Sequence, residues 1–247
     1  MKEFILKKLI PLLFWLAVWQ VASVLAGSEL IISSPLRVIG ALITHLKDLT
    51  FYRDVLNSLF RVTAGYILSI AVGVLLAFAS FSSDPIRALL SPLMAAVAAT
   101  PVAAFIIVAL LIFGSSDISA FISFLISLPI IYGNTLDGLR SVSDDDLKPA
   151  KLFGMRYATR MRYIHIPAAV PYFLSGSSVA LGLAWKAGVA AEVIAITRYS
   201  LGERLYDAKL FLDMSSVFAY AVVIIAVSWL SEKLIGKALK SICSHLL

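Results

Sequence analysis

The chain has 247 residues, 60% of them hydrophobic and only 15% charged, with a formal net charge of +6. A soluble domain carries about 25% charged and about 45–50% apolar residues, so the apolar surface exceeds what one compact soluble core hides, and the bilayer is the solvent that fits. The basic excess suits nucleic acid or an anionic lipid surface; nucleic acid is set aside because no basic run interleaved with aromatics lies on a polar segment.

Six windows reach the roughly 20 mostly apolar residues that a membrane helix needs: 9–27, 57–81, 89–113, 117–136, 173–196 and 215–235. In the first, Lys7-Lys8, an apolar run and Val24-Leu25-Ala26 also fit a cleaved leader, but Trp15, Trp19 and the length of the run favour a retained span ended at Gly27-Ser28. Ser82-Ser83-Asp84-Pro85 parts the second window from the third, and Gly114-Ser115-Ser116-Asp117 makes a short link to the fourth. Pro92 and Pro101 are expected to kink the third span, each removing an internal hydrogen bond.

Orientation follows from Lys and Arg in the loops. With the N-terminus inside, thirteen lie on the cytoplasmic side (Lys2, Lys7, Lys8, Arg87, Arg140, Lys148, Lys151, Arg156, Arg160, Arg162, Lys233, Lys237, Lys240) and seven on the other. Both termini and the 137–170 stretch are therefore assigned to the cytoplasm. The second polar stretch, 197–214, reads as an outward-facing loop.

The fifth window carries two ionisable residues, Lys186 and Glu192. Facing lipid at mid-depth, each costs about 2.5–3.5 kcal/mol, so both are expected to face protein or water. Six residues separate them, about 9 Å along a helix and about 240° around it, which does not place them on one face. Glu192 lies nearer the outer end, within reach of water; Lys186, beside Trp185, is the more costly. Two readings stand for Lys186: a contact with an anionic solute, or a structural lysine satisfied by snorkelling or by neighbours, including Glu192 of a second copy. Gly176, Gly182 and Gly188 read as close helix contacts, and Ser175, Ser177 and Ser178 as either packing or a polar path.

Cys243 has no cysteine partner, and His45, His165 and His245 lack metal-ligand spacing. There is no GxxxxGK[ST], HExxH or GxSxG. No catalytic residue, metal or cofactor is expected in this chain.

The most informative stretch runs from Asp144 to Pro171. Its acidic triplet suits a helix N-terminus, Pro149 is expected in a first turn, and Gly154 permits a change of direction or a close backbone approach. Arg156, Arg160 and Arg162 form a basic turn, and Pro167 and Pro171 are expected to end it before the fifth span. The result is two short helices bent near Gly154, with Leu152, Phe153, Met155 and Ile164 available for an apolar contact. Such an elbow also suits a headgroup surface.

Here the sequence resembles the permease subunits of binding-protein-dependent ABC importers. Their cytoplasmic loop reads Glu-Ala-Ala, three residues, Gly, nine residues, Ile, any residue, Leu-Pro. Gly154, Ile164 and Pro167 stand in that spacing, Ile166 replaces the Leu, and Lys148-Pro149-Ala150 replaces the triplet with only Ala150 matching. Ser34-Pro35-Leu36, Ala99-Thr100-Pro101-Val102-Ala103-Ala104 with Phe113-Gly114, and Ala184-Trp185 with Ala191-Glu192 resemble the sulfonate, taurine and nitrate branch.

The resemblance implies an all-α integral membrane protein of the type I ABC importer permease fold: six transmembrane helices and a cytoplasmic two-helix coupling elbow at 144–167. Residues 1–33 would hold the N-terminal tail and first helix, 34–235 the permease domain, and 236–247 a cytoplasmic tail. It implies a transport subunit, not an enzyme, in the bacterial cytoplasmic membrane. Its partners would be a second copy, two ABC ATPase subunits that bind ATP and Mg, an extracytoplasmic substrate-binding protein for which 197–214 is one candidate seat, and the lipid bilayer. Lys148, Ala150, Phe153, Gly154, Met155, Ile164, Ile166 and Pro167 would couple to the ATPase, and Lys186, Glu192, Trp185 and Pro101 are pathway candidates. The solute would be a small anion. A stand-alone secondary transporter or channel is the alternative; it calls for paired coupling charges and an inverted repeat, and no repeat between the halves is evident.

Overall fold

The computed structural model describes residues 2–245, and among these every regular element is helical. The side chains of Lys2, Lys7 and Lys8, of Asp144 at the head of the elbow, and of Lys151 lie outside the described residues. The elements are α1 (Lys2–Leu25), α2 (Pro35–His45), α3 (Leu49–Ser82), α4 (Asp84–Ala99), α5 (Val102–Phe113), α6 (Ile118–Arg140), α7 (Asp144–Leu152), α8 (Tyr157–Arg160), α9 (Ile166–Ala195), α10 (Leu201–Leu210) and α11 (Met214–Cys243), with a π-helical turn at Met161–His165 joining α8 to α9. In hydrocarbon each backbone polar group needs an internal partner, which helices supply.

Among the described residues four helices are long and apolar enough to cross a membrane: α3, α6, the continuous Tyr157–Ala195 rod and α11. The third predicted window bends at Pro101, as expected there, but far more sharply than a kink. It is two helices, α4 and α5, meeting at 101° across Thr100-Pro101. Pro101 has no N–H to continue the ladder, and it holds Thr100 in extended backbone (ψ 132°). Counted as one span, the pair makes a fifth; the described apolar part of α1, Leu9–Leu25, falls short of the usual length.

The core is a three-helix stack in which α6 lies between α3 and α9. Small residues let the backbones close. A Cβ on Gly65 would clash with the carbonyl of Ala120, and one on Gly188 would stand 2.5 Å from Ser123 Oγ. Gly176 likewise meets Asn134, whereas Gly182 has nothing within 4 Å and is not a close contact, contrary to the sequence reading. Serines on α6 satisfy their hydroxyls on the facing backbone: Ser123 donates to Ala184 O (3.1 Å) and Ser127 to Ala180 O (3.3 Å). Val62, Tyr66, Ile131, Leu181 and Trp185 fill the space between.

The polar stretch after α9 is not a plain loop. It contains α10, started by Ser200, whose hydroxyl accepts the Glu203 N–H (3.0 Å).

Candidate functional site

The elbow candidates lie at one end of the Tyr157–Ala195 rod and Glu192 lies near the other. At one end α7 and α8 form the bend. Ser143 and Asp146 cap α7 reciprocally: Ser143 Oγ accepts the Asp146 N–H (3.2 Å), and Asp146 Oδ2 accepts the Ser143 N–H (3.3 Å). Pro149 therefore falls in the second turn rather than the first; in a nine-residue helix it removes one bond, and its own carbonyl accepts the Phe153 N–H (2.9 Å). The bend follows at Gly154, with φ +62°. The Met155 N–H reaches back to Ala150 O (2.9 Å), a Schellman-type ending with glycine in its left-handed position. Because a Cβ at Gly154 would meet nothing within 4 Å, the residue serves the turn and not a close approach.

This turn presents Leu152 and Phe153 at 84% and 82% exposure, while Ala150 is buried and Met155, Ile164, Ile166 and Pro167 are half-buried. Lys148 pairs with Asp145 (2.7 Å) on the surface, an interaction of small worth.

Pro167 and Pro171 do not end the elbow. The π turn, in which the Ile166 N–H bonds Met161 O, shifts the ladder by one residue just before Pro167, so the chain continues helically into α9. Within it, His165 anchors the bend. Its Nδ1 lies 3.0 Å from Leu139 O at the end of α6, and since a carbonyl only accepts, Nδ1 carries the proton. The same ring packs on Phe81 (4.9 Å), and Tyr157 OH meets Ser82 Oγ (3.4 Å), both at the end of α3. Gly138 completes the contact: a Cβ there would lie 2.8 Å from Ala169 Cα.

Along α9, Trp185 is 1% exposed and its indole N–H donates to Ser231 Oγ on α11 (2.7 Å). Lys186 is exposed, on a stripe with Val179, Leu183 and Ile194. Pro101 is exposed at the α4–α5 break. The structure does not bring these three together.

At the other end of the rod, Glu192 is not wet. It is fully buried; its Oε2 accepts from Ser58 Oγ (2.7 Å) and from the Gly202 N–H (3.2 Å). Ser58 Oγ in turn accepts the Leu201 N–H (2.9 Å), so one carboxylate ties α9, α3 and α10. Gly202 is obligatory here, since a Cβ would stand 2.3 Å from Glu192 Cβ. The connecting residues Ile196 and Tyr199 hold positive φ (49° and 57°), strained for their types. They are fixed by Thr197 N–H to Glu192 O (3.0 Å) and by Asn57 Nδ2 to Tyr199 O (3.1 Å).

Around this end lies a charged network that sequence reading missed. Arg204 Nε donates to buried Asp54 (2.6 Å), and its Nη2 reaches Thr50 Oγ1 (2.7 Å) and Asp48 (3.3 Å). The Thr50 hydroxyl and N–H hold the Asp48 carboxyl below its usual range. His45 sits between Ser216 Oγ (2.8 Å) and Tyr220 OH (3.1 Å); burial, and then the Arg204 charge, lowers its pKa. The only sequence hint was Asp48-Leu49-Thr50, a helix-start pattern. Among the described residues no group of three His, Cys, Asp or Glu is placed to hold a metal ion.

The family of binding-protein-dependent transport system inner membrane components matches residues 69–235, from within α3 through the elbow to α11. The chain belongs to this family. Similar proteins include a probable ABC transporter permease protein of Brucella melitensis (28% identical over 214 residues, 86% of this chain and 87% of the other). The taurine transport system permease protein of Escherichia coli is 27% identical over 221 residues, covering 87% and 80%. The nitrate import permease protein of Synechococcus elongatus is 29% identical over 191 residues, covering 73% and 68%. This permease is thus the membrane component of a binding-protein-dependent ABC importer, and its relatives are transport permeases rather than enzymes.

Proposed function

We propose that two copies of this chain form the pathway of an ATP-driven importer for a small anionic solute, a sulfonate-, taurine- or nitrate-like molecule. Each copy would contribute six spans (α1, α3, the bent α4–α5 pair, α6, α9 and α11), with both termini in the cytoplasm. Two ATPase subunits, which hold the ATP and Mg, would each receive one elbow, and an extracytoplasmic binding protein would deliver solute at the α10 end.

The observation that carries this reading is the elbow itself: an apolar knob, Leu152-Phe153, left outside its own chain on a turn fixed by Gly154 and anchored to α6 and α3 through His165. Two large apolar side chains so placed suit a partner's pocket. Closure of the ATPases would displace the knob, and the His165 anchor would make α3, α6 and α9 move with it, a rigid-body transition driven by differential binding of the two states. The exposed Lys186 stripe would meet the second copy across the pathway, where an ammonium attracts an anion and escapes the cost of facing lipid. The names of the taurine and nitrate relatives support a solute that presents an anionic group.

The test is purification from native membranes in mild detergent with intact-complex mass measurement, alongside Phe153→Ala. A two-plus-two assembly with an ATPase is expected, weakened at least tenfold by Phe153→Ala with the permease's own melting unchanged. A chain that stays without an ATPase in several mild detergents, or ATPase binding indifferent to Phe153→Ala and Leu152→Ala, overturns the reading and favours a stand-alone carrier.

A further inference from the structure

Between α9 and α11, towards the Cys243 end, lies a groove of about 640 Å³ that the transport reading does not use. Its walls include the half-buried Leu174 and Leu239, and its rim carries Lys233, Lys237 and Lys240. These lysines recur at i, i+4 and i+7, so they share one face of α11 and span about 10.5 Å along its axis. All three are exposed, and none forms an ion pair among the described residues. One carboxylate stands among them, Glu232, and it accepts the Ser178 hydroxyl (2.6 Å). Trp229, one turn earlier on α11, is 56% exposed, with the Lys233 ammonium 3.6 Å over its ring.

We propose that this groove holds an anionic phospholipid of the cardiolipin type, with two phosphates, taken from the cytoplasmic leaflet. Three ammonium groups against one carboxylate leave two positive charges, matching two phosphates. The spacing of the lysines lets two of them meet one phosphate while the third meets the other. The leucine walls favour a lipid over a soluble anion, because acyl chains gain from apolar surface that inorganic phosphate cannot use. A tryptophan beside a basic row marks the headgroup level of a bilayer, and basic pockets between spans on the cytoplasmic side are suited to such headgroups. The leaflet assignment rests on the orientation proposed above; the groove's chemistry does not.

The experiment compares wild type with the K233Q/K237Q/K240Q variant, both delipidated in mild detergent, then titrated separately with cardiolipin, phosphatidylglycerol and phosphatidylethanolamine and read by native mass spectrometry. Wild type is expected to retain cardiolipin over phosphatidylglycerol, and phosphatidylethanolamine least. The triple variant is expected to lose roughly 100-fold in cardiolipin affinity, about fivefold for each lysine. Because the three side chains are exposed, the variant should keep its melting temperature, and K47Q/K209Q at the α10 end should bind as wild type. Equal retention of the three lipids, or cardiolipin binding unchanged in the triple variant, overturns the proposal. So does efficient disulfide formation between two copies carrying Lys237→Cys, which would place a second protein chain in the groove. Lipid retention needs neither ATPase nor solute. Labelling of Lys240→Cys from outside the cell together with normal cardiolipin binding would overturn the leaflet and the orientation, and leave the lipid site standing.

Discussion

The Glu192 carboxylate and the Ser58 hydroxyl, 134 residues apart in sequence, lie 2.7 Å from each other with neither side chain reached by solvent. This pair, with the Gly202 N–H on the same oxygen, binds α9 and α3 to the start of α10. Glu192→Ala leaves two buried donors without an acceptor, which costs about 1–3 kcal/mol for each unsatisfied group. Glu192→Gln retains a carbonyl acceptor and is expected to cost less. Gly202→Ala, forced against Glu192 Cβ, should destabilise by about 1–3 kcal/mol. Thermal melting of the purified permease checks the order: wild type, then Gln, then the two alanine variants. An alanine at 192 as stable as wild type would show that the lock contributes nothing.

Gly154 is held at φ +62° with open space around its α-carbon. Shape is therefore no obstacle to substitution, and backbone conformation is. Asn, which tolerates the left-handed region, should preserve ATPase stimulation, whereas Val should disfavour the turn by about 1–2 kcal/mol and reduce stimulation severalfold. Insertion into the membrane should be normal in both. Equal stimulation in Asn and Val variants would count against a role for the turn.

The lowered pKa of His45 sets a direction for pH dependence. Burial, followed by the Arg204 charge, disfavours the imidazolium in the native state, while the unfolded chain takes up its proton near the ordinary value of 6.5. The unfolded state therefore binds more protons as pH falls below about 6.5, and stability is lost in that direction, levelling off beneath the folded pKa. The Asp48 carboxyl, held low by Thr50, loses its contribution only at more acid pH, below its ordinary 3.8. His45→Gln should flatten the first decline and leave the second. Melting temperatures from pH 7.5 to 3 for both proteins check this; identical slopes between pH 7.5 and 5 would exclude His45 as the source.

Lys186 is the remaining exposed cation on α9 between the lock and the elbow. Lys186→Met should raise the KM for an anionic solute about five- to tenfold, with ATPase binding unchanged. Reconstituted uptake measures it, and unchanged uptake would remove Lys186 from the pathway.

The elbow was legible in the sequence because its turn needs a left-handed residue, so Gly154 is a conformational requirement that a spacing pattern can capture. Hydropathy has magnitude and no direction, so the window at 89–113 reads as one span although Thr100-Pro101 turns it by 101°. α10 was legible in principle, since Ser200 and Glu203 stand at cap spacing and Leu201, Leu205 and Ala208 recur at i, i+4 and i+7; ten residues so rich in charge read as loop when only long apolar windows are sought. The burial of Glu192 was illegible for another reason. Its partner is an isolated serine on a different helix, and nothing local distinguishes Ser58 from the other serines of the second window. Pro167 misled because it falls at the start of α9, just after the π turn at Met161–His165, where a missing N–H is tolerated; Pro171 sits in the second turn of α9 and removes one bond without ending the helix.

That turn has a mechanical consequence. By joining α8 to α9 without a break, it makes Tyr157–Ala195 a single lever of 39 residues, about 58 Å long. The bend at its foot and the Glu192 lock near its tip are thus two ends of one beam. A tilt at the foot is delivered to the far side without any relay of side chains, and α10, fastened to that tip by one carboxylate, is carried along or torn loose.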